Sequence, residues 1–151
     1  MKGGALEVLL VNAEGLKHAR LLRSSSQYVI TQCGSHIHTS KSTTGKDKKA
    51  WWNEKFVFKL TNSEWKSVTK IKLKVMEKDK LLEDCSLGEA TIYLRGILRE
   101  GERKGITELK PAPYNIVLKD RTYGGELKVG LKFDSKECQR RRKLWYPLAK
   151  G

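Results

Sequence analysis

Apolar and polar side chains alternate with a period of two along most of the chain. The alternation is clearest at two sets of apolar positions, namely Ile71, Leu73 and Val75, and Leu127, Val129, Leu131 and Phe133. A period of two is typical of strands that bury one face. About eight such segments occur along the chain, with turn signals near every tenth position. The pattern therefore predicts an all-β fold, an eight-stranded antiparallel β-sandwich.

Two connecting segments lack this alternation. Residues 62–68 begin with polar side chains, among which Ser63 can cap a short turn of helix. Residues 95–105 carry many charges and three glycines, and we interpret them as a loop or a single helical turn. Pro111 and Pro113 then act as breakers that precede the seventh predicted strand.

An acidic loop separates the fifth and sixth predicted strands. It contains Glu77, Asp79, Glu83 and Asp84. Carboxylates of this kind bind hard cations such as calcium through oxygen ligands. The alternative, which we favour, is an acidic loop that neighbouring cations hold in place.

The chain is strongly basic, with a formal net charge of +14. Such a charge favours phosphate-rich partners, either nucleic acid or an anionic membrane face. Candidate phosphate-binding lysines lie on the fifth predicted strand and on strands that we expect to neighbour it: Lys41, Lys55, Lys59, Lys70, Lys72 and Lys74. The alternative is a solvated sheet face whose lysines protect strand edges from aggregation.

The pattern of alternation ends before the last part of the chain. We therefore predict a domain over residues 1–134 and a basic, aromatic-containing tail over residues 135–151. The tail residues expected to contact a polyanion are Arg140, Arg141, Arg142, Lys143 and Trp145. Cations next to aromatic rings suit stacked bases or a lipid interface. The alternatives are a disordered basic terminus and a tail in which Trp145 docks on the sandwich.

No arrangement of residues indicates catalysis. The sequence lacks a nucleophile elbow, a phosphate-cradling glycine loop and a diagnostic Cys–His pair. His18, His36 and His38 have no third ligand at metal spacing, so we interpret them as ordinary surface histidines. We expect a non-enzymatic protein with no cofactor and no small-molecule substrate. Three cysteines at unrelated positions favour a reducing cytosol.

Several segments, taken in order, resemble a C2 domain: GALEVLLVNAEGL, QYV, WWNEKFVF, LKVMEKDKLLEDCSLGEATIYL and YGGELKVGLKF. The segment LREGERKGITEL narrows the resemblance further. It makes the chain similar to small single-C2 plant proteins of the elicitor-responsive and 16-kilodalton phloem type. This resemblance implies a sandwich with three loops gathered at one end. It also implies that these loops hold calcium through five carboxylates and that the bound calcium bridges the protein to phospholipid.

The ligand positions that this resemblance implies are altered here. The first-loop aspartates fall on Arg20 and Ser26, and the third-loop pattern falls on Glu77, Asp79, Asp84 and Cys85. A guanidinium cannot coordinate calcium, and calcium affinity follows the charge of the ligands. We therefore expect calcium binding to be weak or absent, with Arg20 in a charge-assisted pair with the acidic loop.

Together these expectations describe a C2 adaptor that binds anionic phospholipid largely without calcium. The resemblance implies a role in plant defence or stress signalling. We expect a cytoplasmic protein that associates peripherally with the plasma membrane. Two alternatives remain open, namely an RNA-binding protein of the phloem type and a protein-interaction module that binds neither calcium nor lipid.

Overall fold

The computed structural model describes residues 3–16, 26–45, 48–78 and 82–135. These residues form eight strands and two helices. Their order is β1 (Gly4–Glu14), β2 (Ser26–Cys33), β3 (His36–Thr39), β4 (Lys49–Leu60), α1 (Asn62–Ser67), β5 (Lys70–Lys78), β6 (Cys85–Tyr93), α2 (Arg95–Lys104), β7 (Ile106–Val117) and β8 (Tyr123–Asp134). The predicted eight-stranded antiparallel sandwich is confirmed.

The described strands pair in the order β3-β2-β5-β6-β7-β8-β1-β4, and every pair is antiparallel. We call β3-β2-β5-β6 the first half-sheet and β7-β8-β1-β4 the second half-sheet. Within the described residues, a single pair, Glu89 with Val117, joins β6 to β7. The eight strands therefore behave as two four-stranded layers with one weak connection between them.

The core consists of the alternating apolar side chains that the two half-sheets turn toward each other. Leu6, Val8 and Leu10 of β1 are fully buried, as are Leu73 and Val75 of β5. Each fully buried aliphatic side chain contributes about 1.5–3 kcal/mol relative to exposure. Because the period is two, the intervening residues of these strands lie on the outer faces, where a ligand can reach them.

Helix α1 begins with a capping box. Thr61 is the N-cap: its hydroxyl accepts from the backbone N–H of Glu64, and the Glu64 carboxylate accepts from the N–H of Thr61. The predicted short helix is confirmed, but Ser63 is not its cap. The two reciprocal bonds satisfy two of the amides that a helix start leaves without partners, which favours Thr61 over Ser63.

Residues 95–104 form a complete helix, α2, so the interpretation of this segment as a loop or one turn was wrong. Ile97, Leu98 and Gly101 are buried, and the charged residues face outward. Gly101 has no side chain, so it adds little to the apolar pattern from which a helix is inferred. Its contact explains the residue type: a Cβ at this position would overlap the ring of Phe133.

Strand β7 begins at Ile106, well before Pro111 and Pro113, so the expectation that both prolines precede this strand was wrong. The register of β7 against β8 shifts between Leu109 and Ala112, and Pro111 lies at this shift. A β-bulge tolerates proline because one residue there is already outside the hydrogen-bond ladder. Pro111 packs closely over Gly130 of β8.

The end of β8 at Asp134 coincides with the end of the predicted domain. Residues 136–151 lie outside the described residues, so the division into domain and tail stays a prediction. No helix in the described part of the chain has the length and apolar character needed to cross a membrane.

Two glycines of α2 provide a test of its packing. We expect Gly101→Ala to lower the free energy of unfolding by about 1–3 kcal/mol, because the added methyl group overpacks against Phe133. Gly96→Ala is the matched control: a Cβ there meets no atom within 4 Å, and we expect a gain of about 0.5–1 kcal/mol from helix propensity. Urea unfolding measures both. Equal stabilisation by the two substitutions would contradict the packing of α2 described above.

Candidate functional site

Glu77 lies at the end of β5 where the acidic loop begins. The ladders place it opposite Gln27 of β2 and Cys85 of β6. Glu77 continues the inward alternation of β5, and both Glu77 and Gln27 are 0% exposed. The sequence pattern placed Glu77 among the loop carboxylates, but the structure places it at the inner edge of the core. Burial of this kind reduces the access of an ion from solvent.

Asp84 lies on the outer side of the loop and has a partner in β2. The hydroxyl of Tyr28 donates to Asp84 Oδ2 at 2.5 Å. Burial, followed by this hydrogen bond and the charge of Asp84, raises the pKa of Tyr28 to about 12. The Asp84 carboxylate is therefore engaged within the protein and helps to fix the loop against the first half-sheet.

The other positions that the resemblance implies for calcium lie in different settings. Ser26 is the first residue of β2 and pairs with Lys78. Cys85 is the first residue of β6 and is half-buried. Arg20 and Asp79 lie outside the described residues, so the predicted pairing of Arg20 with the acidic loop stays a prediction.

The donor set that the structure describes here does not fit calcium. Calcium takes six to eight oxygen ligands. Of the two described carboxylates implied as ligands, Glu77 is buried on the inner face and Asp84 accepts from Tyr28. Across the described ranges, no group of three or more His, Cys, Asp or Glu side chains could hold a metal ion. The calcium affinity of the whole chain stays a prediction.

A basic face follows the outer side of β5. Lys70, Lys72 and Lys74 are exposed, and they project from the same side of the strand. Lys70 pairs with Tyr93 of β6, a residue that is 74% exposed. On the other side, Lys72 pairs with Gln32, which is opposite the exposed Ile37 of β3. We call Lys70, Lys72, Lys74, Ile37 and Tyr93 the β5 face.

The lysines of the β5 face are not neutralised within the fold. None of the three forms an ion pair with another residue in the part of the chain that the structure describes. Glu89 is opposite Lys74 in the ladder, but the two do not form an ion pair. The positive charge of the face is therefore available to a partner. The proximity of Ile37 to these lysines depends on the pairing of β3 with β2, which no pattern within a single strand encodes.

The structure does not bring all six predicted lysines together. Lys55 and Lys59 lie on the exposed side of β4, whose described partner is β1 in the second half-sheet. The expectation that β4 neighbours β5 was therefore wrong. Lys41 follows β3, and its backbone N–H donates to Glu54 Oε1 of β4 at 2.9 Å. The lysines form separate surfaces because strand order depends on long-range pairing, which spacing along the chain does not encode.

Two histidines of β3 connect the two half-sheets, so the interpretation of ordinary surface residues was incomplete. His38 Nε2 lies 2.6 Å from Glu54 Oε2, and the imidazole stacks on Phe56 with centroids 3.9 Å apart. His36 Nε2 lies 2.7 Å from Glu64 Oε2. Both imidazoles are about one-third exposed. These contacts join β3 to β4 through His38 and to α1 through His36.

The pKa values of the two glutamates reflect these contacts. Burial raises the pKa of Glu54, but the hydrogen bonds from His38 and from the N–H of Lys41 outweigh it and hold the pKa below its usual value. The N–H of Thr61, followed by His36, lowers the pKa of Glu64. Both carboxylates are therefore ionised at neutral pH.

The predicted polyanion contacts of the basic tail are Arg140, Arg141, Arg142, Lys143 and Trp145, and they lie outside the described residues. Their roles stay predictions.

Comparison with known proteins identifies the fold and the relatives. The family model for the C2 domain matches residues 4–109. Elicitor-responsive protein 3 of Oryza sativa subsp. japonica is 38% identical over 133 residues, which cover 88% of this chain and 85% of the relative. The 16 kDa phloem protein 2 of Arabidopsis thaliana is 36% identical over 141 residues, or 93% of this chain and 88% of that protein.

A solved structure agrees with this assignment. A C2 domain-containing protein that is 34% identical superposes with a TM-score of 0.65, and the match covers 87% of this chain and 90% of that chain. The family match ends at residue 109, yet β8 continues the same sheet and pairs with β1. The folded unit therefore extends beyond the matched range.

The contact between Glu54 and His38 predicts a pH-dependent contribution to stability. Because the pKa of Glu54 is lower in the folded protein than the unfolded value of about 4.3, its ionised form stabilises the fold above that pH, and the contribution is lost as pH falls through the lowered pKa. We expect Glu54→Gln to cost about 1 kcal/mol at neutral pH. Urea unfolding between about pH 7 and pH 3 checks this, since the difference between the variant and the wild type should shrink on acidification. A constant difference would contradict it.

Proposed function

We propose, from the premise that this chain belongs to the C2 domain family and to its group of elicitor-responsive and 16 kDa phloem proteins, that it is a non-enzymatic adaptor for anionic phospholipid surfaces. The adaptor works largely without calcium. It acts at the cytoplasmic side of the plasma membrane as a peripheral protein, in plant defence or stress signalling.

The β5 face is the observation that carries this proposal. Three lysines without ion pairs lie in a row, with an exposed tyrosine on one side and an exposed isoleucine on the other. Each lysine near an anionic membrane contributes about 1 kcal/mol of attraction. Tyrosine suits the boundary between head groups and acyl chains because its ring is apolar and its hydroxyl is polar. The face therefore combines the two kinds of contact that a membrane surface offers.

Independence from calcium is supported by the loop end of the sandwich. Glu77 is buried, Asp84 accepts from Tyr28, and Ser26 replaces a carboxylate. With so few free oxygens among the described residues, attraction to lipid has to come from the protein's own cations. A flat basic face needs no bridging ion, because lysine contacts phosphate directly.

RNA binding and binding of a protein partner are the alternatives. The net charge of +14 is compatible with RNA, but the described residues on the β5 face include a single exposed aromatic ring, Tyr93. Proteins that bind single strands commonly stack successive bases on several rings. The membrane surface therefore fits the described face better than RNA does.

Vesicle sedimentation tests the proposal. We expect the wild-type chain to bind vesicles of phosphatidylserine and phosphatidylcholine equally well in calcium and in chelator. The triple variant Lys70→Gln, Lys72→Gln, Lys74→Gln should weaken partitioning by about 100-fold, because three contributions of about 1 kcal/mol are lost. Raising the salt concentration should weaken binding by the wild type.

Lys55→Gln, Lys59→Gln is the control variant, since both lysines lie on the second half-sheet. It should retain most of the binding. Equal loss of binding free energy per lysine in the two variants would show attraction by net charge alone, and strict dependence on calcium would overturn the central claim. RNA is added as a competitor for the vesicles. If RNA displaces the wild type, and the triple variant binds RNA as well as the wild type does, the result would favour the RNA-binding alternative.

A further inference from the structure

A polar cavity lies between α1 and α2, at the end of the sandwich opposite the acidic loop. Its volume is about 380 Å³, and we call it the interhelical cavity. Its lining includes Trp65, Lys66, Thr69, Arg95, Arg99 and Glu102. Thr69 directly precedes β5, and the acidic loop follows that nine-residue strand. At about 3.3 Å per residue, the strand separates the two features by roughly 30 Å. The cavity is therefore distinct from the loop end.

Cations dominate the rim of the interhelical cavity. Arg95 and Arg99 are four residues apart on α2, so they lie on the same side of the helix, and Lys66 comes from α1. The Lys66 ammonium lies 5.9 Å from the centre of the Trp65 ring. Three cations face one carboxylate, Glu102. This balance favours an anionic occupant.

The cations of α2 divide into two groups. Arg103 and Lys104 both contact Glu100, at 2.9 Å and 3.1 Å. Arg95 and Arg99 form no ion pair within the described residues. The helix therefore neutralises two cations that do not line the cavity and leaves the two arginines that line it with free guanidinium donors. Arginine donors match the geometry of phosphate oxygens.

The backbone places the start of α2 beside the cavity. The N–H of Leu94 donates to the carbonyl of Thr69 at 2.8 Å, which ties the helix start to the segment that precedes β5. Leu94 is the N-cap but provides no side-chain cap, and no acidic residue lies in the first turn. The positive end of the helix dipole is therefore not compensated locally, and it adds to the charge of the arginines.

Trp65 forms the core side of the interhelical cavity. Its side chain lines the cavity and is 7% exposed, while its indole nitrogen is buried and has no acceptor among the described residues. A ligand in the cavity therefore meets the Trp65 ring, and the cations of the rim provide the polar contacts.

A second, adjoining cavity of about 270 Å³ extends the basic region. It shares Val68 and Thr69 with the first and is also lined by Lys70 and Lys72. Cations thus approach the shared segment from both sides. Because the two cavities meet at this segment, a small molecule that carries several phosphates can present one phosphate to each group of cations. Cavities of a few hundred Å³ are typical of small-molecule sites.

We propose that the interhelical cavity binds a compact polyphosphate, such as an inositol ring with several phosphates, either free or as a lipid head group. Arg95 and Arg99 bind one phosphate from α2, Lys66 contributes from α1, and Lys70 binds a second phosphate across the shared segment. The site shares Lys70 with the β5 face, but unlike that face it is concave and selects for several phosphates on one small molecule.

Titration calorimetry of the full chain with inositol trisphosphate tests this site. We expect saturable binding by the wild type. The variant Arg95→Gln, Arg99→Gln should lower the affinity by about 10- to 100-fold, because two charge-assisted contacts are lost. Both side chains are exposed, so the variant should fold, and circular dichroism checks this. Absence of binding by the wild type, or unchanged binding by this variant, would overturn the proposal.

Arg103→Gln, Lys104→Gln is the matched control. It removes the same charge from the same helix, but from residues that Glu100 already neutralises. We expect a loss of less than about threefold, the size of a general electrostatic effect. Equal losses in the two variants would overturn the proposal in favour of non-specific attraction. A shift of the Trp65 indole N–H resonance on titration is a further expected result that non-specific attraction would not produce.

Vesicles separate the two sources of the ligand. Phosphatidylcholine vesicles with and without phosphatidylinositol bisphosphate are compared, and free inositol trisphosphate serves as competitor. Binding to the free compound, together with vesicle binding that Arg95→Gln, Arg99→Gln weakens, supports a head group, and binding to the free compound alone supports a soluble ligand. Phosphatidylserine vesicles, which lack a polyphosphate, test the β5 face separately, so either proposal can fail without the other.

Discussion

Packing around the ring of Phe133 brings four elements of the fold together. The ring is fully buried on β8, and Gly4 of β1 and Gly101 of α2 approach it so closely that a Cβ at either position would overlap it. Trp65 of α1 packs on the same ring, with centroids 5.8 Å apart. Because both helices rest on one side chain in a close-packed core, the gap between them is fixed by the core. The cationic rim of the interhelical cavity therefore depends on an apolar contact.

Local patterns in the sequence were sufficient for most of the strands and insufficient for the connections. The alternation at Ile71, Leu73 and Val75 predicted the inner face of β5 correctly, because a period of two leaves few other structures open. Helix α2 was missed because Gly101 contributes to the interface by lacking a side chain. The early start of β7 was missed because Pro111 usually indicates the end of a strand, and only the pairing with β8 shows that it lies at a bulge.

The candidate sites were predictable where they depend on one strand and not where they depend on several. The outward direction of Lys70, Lys72 and Lys74 followed from β5 alone. The separation of Lys55 from them depends on strand order, and the role of His38 depends on the contact of β3 with Glu54 in the opposite half-sheet. The interhelical cavity combines residues from α1, α2 and the start of β5. No local spacing encodes such a combination, because the residues that line the cavity are separated along the chain by β5 and β6.

The pairing of β1 with β8 has a consequence for how the chain is made. Ala5 pairs with Asp134, so the central strand of the second half-sheet waits for a partner from the far end of the described chain. During synthesis, residues are added at about 5–20 per second, so one edge of β1 stays unpaired for several seconds. Contacts between distant residues also slow folding in general. Assembly on the ribosome therefore cannot be completed strand by strand, because the second half-sheet closes only after β8 has been synthesised.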